Sequence, residues 1–248
     1  MKVICIIPAR YNSSRFEGKP LADIYGKPMI WWVYNQCIKV DRFDEVYIAT
    51  DDERIASICK ENNMDYVMTA NDHPDHISRV HEVSNKVNSD YYICVNGDEP
   101  LISPTIIEAA LPNEVIDTEY FGGVMRELTD PAETIDSANI KLAVTSKNRC
   151  VYMSRAPIPY PKGTLLYKYK KYVGVECFNK RALDFFASTP IGDLEKSEDI
   201  DHLRFIENGI PLYFKMVDSD SISVDTPKDL EKVLQIVGNR IENGEIIV

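Results

Sequence analysis

The run Val3-Ile4-Cys5-Ile6-Ile7 has no polar side chain at any position. A strand with one wet face alternates, so a strand apolar throughout must be covered on both sides. That is the position of a strand inside a parallel sheet flanked by helices. Open sheets of this kind bind ligands beyond the carboxyl ends of their strands. The stretch that leaves this strand, Pro8-Ala9-Arg10-Tyr11-Asn12-Ser13-Ser14-Arg15-Phe16-Glu17-Gly18-Lys19-Pro20-Leu21, is therefore the first place to look for function. Glycine, serines and prolines interrupt it, which predicts a loop. Arg10, Arg15 and Lys19 put three cations on that loop, a charge complement for a triphosphate. Serine hydroxyls such as Ser14 and free backbone amides add donors. The spacing is not a Walker A loop. No Gly-x-Gly-x-x-Gly follows the strand, so a dinucleotide-dependent dehydrogenase is excluded.

The remaining pattern extends the same architecture. Helices are expected over 29–39 behind Pro28, 53–62, 77–87, 180–187, 197–208 and 228–241, the last opened by Pro227 with Thr226 as its cap. Strands are expected over 45–49, 65–68, 91–95, 172–178 and 212–216. Alternation of strands and helices predicts an α/β fold with a mainly parallel, Rossmann-like sheet. After Leu111 the pattern shifts to short β-like runs (121–125, 140–144, 151–153) with less helix between them. The expected organisation is a single domain with a core over 1–111, a smaller mixed α/β lobe over about 112–222 and a closing segment over 223–248. The Tyr- and Lys-rich arm 160–172 predicts a subunit contact, because exposed tyrosines favour interfaces. With the runs from 140 onward it predicts a homodimer.

At 248 residues the chain is long enough for a full core. Its net charge of -11 argues against nucleic acid or an acidic membrane as a partner and makes the basic amino-terminal loop stand out. The six cysteines contain no Cys-x-x-Cys pair, so neither a zinc site nor a redox motif is expected from them. The four histidines (73, 76, 81, 202) show no metal or triad spacing. The first apolar run is too short for a signal peptide, and no stretch approaches a membrane span. A reducing cytoplasm is the expected location.

The fourth core strand ends in Asn96-Gly97-Asp98-Glu99-Pro100. A carboxylate just beyond a parallel strand faces the same rim as the basic loop, so Asp98 is a candidate ligand for a divalent metal on phosphates. Asp225, in Ser223-Val224-Asp225-Thr226-Pro227, reads by itself as a cap or turn residue, at the end of a further expected strand. Backbone groups of Pro8, Ala9, Ala49 and Thr50 are placed to read a base, with Asp51, Arg79, Asn96 and Gly97 close by.

Pro8-Ala9-Arg10-Tyr11-x-Ser13-x-Arg15-x-x-Gly18-Lys19-Pro20-Leu21 resembles the nucleotide loop of the cytidylyltransferases that activate 3-deoxy-octulosonic acids, the CMP-Kdo synthetases. The likeness runs on to Val224-Asp225-Thr226-Pro227 and covers nearly the whole chain. It implies a single nucleotidyltransferase domain, with 1–111 as the nucleotide-binding core and about 112–222 as the acceptor and dimerisation lobe, CTP as substrate, Mg²⁺ as cofactor held by Asp98 and Asp225, and a small acidic sugar as acceptor. Arg10, Arg15, Lys19, Asp98 and Asp225 are then the catalytic set. Acceptor contacts fall on Arg155, Tyr172, Glu176, Asp201 and His202. On that side the chain departs from the family. Ser-Gly-Thr-(Asp/Glu)-Arg becomes Asp75-His76-Ile77-Ser78-Arg79. His-Leu-Gly-(Val/Ile)-Tyr becomes Tyr172-Val173-Gly174-Val175-Glu176, and Glu-Gln-Leu-Arg becomes Asp201-His202-Leu203-Arg204. Asn96 stands at a glutamine position. Two further readings stay open here: CMP transfer to another 2-keto sugar acid or a phosphonate, and a nucleotide-binding regulator without turnover.

Overall fold

The computed structural model describes residues 1–12, 16–164, 166–219 and 221–246. Its strands in chain order are β1 (Val3–Ala9), β2 (Asp23–Ile24), β3 (Lys27–Pro28), β4 (Glu45–Thr50), β5 (Tyr66–Met68), β6 (Tyr91–Val95), β7 (Phe121–Glu127), β8 (Lys141–Val144), β9 (Cys150–Ser154), β10 (Lys170–Phe178) and β11 (Leu212–Met216). The α-helices are α1 (Met29–Cys37), α2 (Glu53–Glu61), α3 (His76–Lys86), α4 (Pro104–Ala109), α5 (Pro131–Ile135), α6 (Lys180–Ser188), α7 (Asp193–Glu198), α8 (Leu203–Glu207) and α9 (Pro227–Glu242).

The main sheet runs β11-β7-β10-β6-β1-β4-β5. β1 pairs parallel with β4 and with β6, and β4 with β5. β10 enters antiparallel between β6 and β7, and β11 is parallel to β7. Strands from the expected second lobe thus continue the same sheet past residue 111. Only β8 and β9 leave its path, as an antiparallel pair attached to β10.

β1 explains why its run is unbroken. Cys5 and Ile7 pack into one core with Ile30 and Val33 of α1, Ile55 of α2 and Ile107 of α4. Ile4 and Ile6 point the other way, into a core with Val80 of α3, Leu183 of α6 and Phe205 of α8. All of these side chains are fully buried, worth about 1.5–3 kcal/mol apiece for the large ones. α9 lies over a third cluster with Ile24, Trp32 and Leu101, into which it sends Val233 and Val237.

The structure departs from the sequence expectation at three places. The helix expected over 197–208 is two short ones, α7 and α8, parted by Asp199 in the left-handed region (φ 53°). Tertiary contacts override the local pattern there. The Glu198 carboxylate accepts from Ser154 Oγ at 2.6 Å and from Arg155 N at 2.9 Å, and its carbonyl accepts from Arg155 Nε at 2.7 Å. The segment before α9 is not a strand, so Asp225 does not end one. α4 and α5, each of six residues or fewer, are too short for periodicity to reveal.

Candidate active site

A cleft of about 430 Å³ opens at the carboxyl rim of the parallel strands. Of the residues expected on the nucleotide, Pro8, Ala9, Arg10 and Lys19 line it from the first loop, Asn96 and Gly97 from the loop after β6, and Arg79 from α3. Ala49 and Thr50, fully buried, lie beside Pro8 and Ala9 in the β1–β4 register but do not form the wall. Ser14 and Arg15 lie outside the described residues.

The basic loop is closed at its neck by the Gly18 amide, which donates to the Tyr11 carbonyl at 2.9 Å, and the Arg54 guanidinium lies over the Tyr11 ring at 3.2 Å. Lys19 then starts a short 3-10 turn, Lys19–Leu21. Its ammonium reaches Asp98 at 2.7 Å and Asp225 at 3.7 Å. All three side chains are between 15% and 28% exposed, so this charge group stands at the cleft and not in bulk solvent.

Asp225, far from Asp98 in sequence, is brought to it by the stretch 221–224. The Val224 amide donates to the Asp98 carbonyl at 2.9 Å. Ser221 Oγ donates to Glu99 Oε2 at 2.5 Å, and Ser223 Oγ to Glu99 Oε1. Glu99 is buried, and burial, with Asp98 nearby, raises its carboxyl pKa; the two serines partly offset this. Glu99 is a residue that the sequence reading did not single out. Its only signal was a second carboxylate directly beside Asp98. Gly97 lets the loop after β6 lie against the end of β1. A Cβ there would stand 2.8 Å from the Pro8 carbonyl oxygen, a backbone atom that cannot swing aside.

Arg79, 1% exposed, donates to Thr69 Oγ1 and stands 3.2 Å from Asp51 Oδ1. That pair is close but not aligned as a hydrogen bond, so Arg79 Nη2 and Asp51 Oδ1 retain hydrogen-bonding capacity. Arg10 donates to the His73 carbonyl at 3.3 Å and is otherwise exposed.

Four of the five expected acceptor residues meet around one buried carboxylate. Glu176 of β10 is fully buried. Its Oε1 lies 3.1 Å from His76 Nε2 and 2.9 Å from His202 Nε2, and it accepts from the Tyr172 hydroxyl. Asp201 Oδ2 lies 3.3 Å from His76 Nδ1. Burial pushes the Glu176 carboxyl up, but the two imidazoles outweigh it and hold the group well below the usual carboxylate range. Burial likewise opposes the charged form of His76, and Glu176 with Asp201 overrules it, so its pKa is raised well above the ordinary value.

His76 also lines the cleft, which joins this cluster to Arg10, Lys19 and Asp98. The sequence reading found no constellation among the histidines. The fold makes one of His76 and His202, which lie on different helices' amino ends. Arg155 does not join it: its guanidinium donates to the carbonyls of Glu198, Ser137 and Asp199.

Residues 4–219 match the family model described as Cytidylyltransferase. The chain is 35% identical to the 3-deoxy-manno-octulosonate cytidylyltransferase of Escherichia coli, over 97% of this chain and 98% of that one. It is 37% identical to the 8-amino-3,8-dideoxy-manno-octulosonate cytidylyltransferase of Shewanella sp. strain ANA-3, over 95% and 98%. A solved structure of CMP:2-keto-3-deoxy-manno-octonic acid synthetase complexed with CTP superposes with a TM-score of 0.91 at 35% identity, covering 97% of this chain and 100% of that one. With a cleft at the rim of a largely parallel sheet, a lysine joining two carboxylates there, and these relatives along nearly its whole length, the chain belongs to the cytidylyltransferase family.

Proposed function

We propose that the protein transfers CMP from CTP to an acid sugar of the 3-deoxy-octulosonate type and releases pyrophosphate. The convergence of Lys19, Asp98 and Asp225 beside Arg10 at the sheet's carboxyl rim carries this reading. The names and the CTP complex of the relatives support the substrate pair. In the reaction an acceptor hydroxyl oxygen bonds to the α-phosphorus of CTP while the bond to the bridging oxygen of pyrophosphate breaks. Such a displacement needs positioning and charge stabilisation more than covalent help from the protein.

Arg10 and Lys19 neutralise the triphosphate and the charge that grows on the departing pyrophosphate, with Arg15 a third cation on the same loop. Asp98 and Asp225 fit a Mg²⁺ site. Both offer oxygen donors, and they are drawn to one cationic group, Lys19, at the cleft. When bound, the ion would neutralise phosphate oxygens and acidify the attacking hydroxyl. Glu99 with its two serines holds Asp225 in reach. Arg79 and Asp51 supply unaligned polar atoms for the cytosine edge.

The functional unit in this reading is a homodimer in the cytoplasm. Large apolar side chains left in the open on the expected contact segment support the first, with Val151 55%, Tyr160 84% and Leu166 88% exposed. Six free, buried cysteines suit a reducing compartment. No described helix is long and apolar enough to cross a membrane.

Pyrophosphate release from CTP with 3-deoxy-manno-octulosonate tests the activity. Turnover should need Mg²⁺ and stop with chelator. Asp225→Asn should lower kcat by about 100-fold or more while leaving CTP binding within a few-fold, because the carboxylate matters most where charge develops. Full turnover in Asp225→Asn, or turnover insensitive to chelator, would refute the mechanism.

A further inference from the structure

His76, Glu176 and His202 come from three separate elements, the first turn of α3, the carboxyl-terminal half of β10 and the amino end of α8, yet their side chains meet. Their nitrogen and oxygen ligand atoms all lie within 4.8 Å of one another. Glu176 Oε1 stands 3.1 Å from His76 Nε2 and 2.9 Å from His202 Nε2, separations that bonds of about 2.0–2.2 Å to one ion can span. Two imidazoles and one carboxylate are a donor set for a borderline divalent ion such as Zn²⁺, not for Mg²⁺, which prefers oxygen throughout. Behind His76, Asp201 Oδ2 stands 3.3 Å from Nδ1, which is how a carboxylate orients an imidazole whose other nitrogen binds a metal. Tyr172 does the same for the carboxylate, donating its hydroxyl to Glu176.

These residues also coincide with the departures from the family pattern. His76, Glu176 and His202 stand where that pattern has glycine, tyrosine and glutamine. The changes meet at one point in space, so they act as a unit. Glu176 and His202 are sealed, 0% and 4% exposed at their side chains, whereas His76 is 26% exposed and lines the cleft. The set is therefore closed on the protein side and open toward the cleft. That is the arrangement of a metal centre that keeps a position for a ligand.

We propose that His76, Glu176 and His202 form a transition-metal site for Zn²⁺ or a similar ion, separate from the Asp98–Asp225 pair, whose open position takes an oxygen of the acceptor. The metal-binding half stands on the geometry. The assignment of the open position to an acceptor oxygen rests on the proposed CMP transfer.

The test uses the full chain, stripped with chelator and then titrated with Zn²⁺ or Co²⁺ in excess Mg²⁺. The expected result is one Zn²⁺ per chain by elemental analysis and a saturable visible absorption with Co²⁺. His76→Ala removes a partly exposed side chain and should fold. It should weaken Co²⁺ binding by about 100-fold or more, as loss of a ligand does. Asp98→Asn should leave the Co²⁺ spectrum unchanged. Addition of the acid sugar should shift that spectrum.

A folded wild-type protein that takes up neither ion overturns the site, as does a His76→Ala variant that binds equally well. The two halves fail separately. Stoichiometric Zn²⁺ in a protein that releases no pyrophosphate keeps the metal site and removes CMP transfer. Mg²⁺-dependent turnover in a protein that binds neither Zn²⁺ nor Co²⁺ does the reverse.

Discussion

Lys19 stands 2.7 Å from Asp98 and 3.7 Å from Asp225, so replacing it with methionine leaves two carboxylates facing one another with no ammonium between them. Lys19→Met should weaken CTP binding by about 10-fold or more, read by calorimetry, since a triphosphate then meets two carboxylates that no ammonium offsets. Glu99 acts one step back. Glu99→Ala releases Ser221 and Ser223 and with them the stretch that carries Asp225. It should cost about 1–3 kcal/mol of stability for the orphaned groups and lower kcat, with a smaller change in CTP affinity. A Glu99→Ala variant with wild-type kcat would show that Asp225 needs no such support.

Away from the cleft, Glu82 sets a pH dependence. Burial pushes its carboxyl up, but Lys86, the Ala70 amide and His73 together bring it down to about 2. A carboxyl depressed on folding contributes stability that is full above its unfolded value near 4.5 and is lost as pH falls toward about 2. The drop in Tm between pH 6 and pH 3, chosen to cover roughly that window, should therefore be smaller in Glu82→Gln than in the wild type.

At the scale of elements, the amino end of α9 serves stability and, in the proposed reaction, the placement of Asp225. Thr226 caps it in a full capping box with Asp229, directly after Asp225. Thr226→Ala should cost about 1 kcal/mol in denaturant unfolding and should also lower turnover, because the cap aims the preceding residue. A loss of stability with unchanged turnover would separate the two roles.

β10 presses on the site through Gly174. A Cβ there would meet Asn96 Cβ at 2.9 Å and Nδ2 at 2.7 Å, so Gly174→Ala must push the Asn96 side chain, which lines the cleft. Reduced CTP affinity in a protein of near-native Tm is the expected outcome.

At the scale of the molecule, one sheet joins the parts that the sequence pattern separates. β10 lies between β6 and β7, so Glu176 of β10 and Asn96, directly after β6, come from neighbouring strands. The arm after β9 takes little part in that sheet and leaves Tyr160 and Leu166 in the open. For a homodimer built on this arm, light scattering should give twice the chain mass. Leu166→Glu should halve it without loss of helical signal, since a charge does not fit a covered apolar contact. A monomeric wild type at micromolar concentration would refute the dimer.

Period and composition alone determined the α/β class, the core strands β1, β4 and β6 and the helices α1, α2, α3, α6 and α9. In each of these, hydrophobic spacing, caps and prolines agree. They also placed Arg10, Lys19 and Asp98 at one rim, because a parallel sheet puts every strand's carboxyl end on the same side. Asp225 was legible only through its likeness to a family motif, since no local pattern says that an extended stretch crosses to Asp98. The break between α7 and α8, the buried Glu99 and the meeting of His76, Glu176 and His202 were decided by tertiary structure. Each depends on partners some 26 to 124 residues away in sequence. Periodicity reports which face of an element is buried, not which polar group will be waiting there.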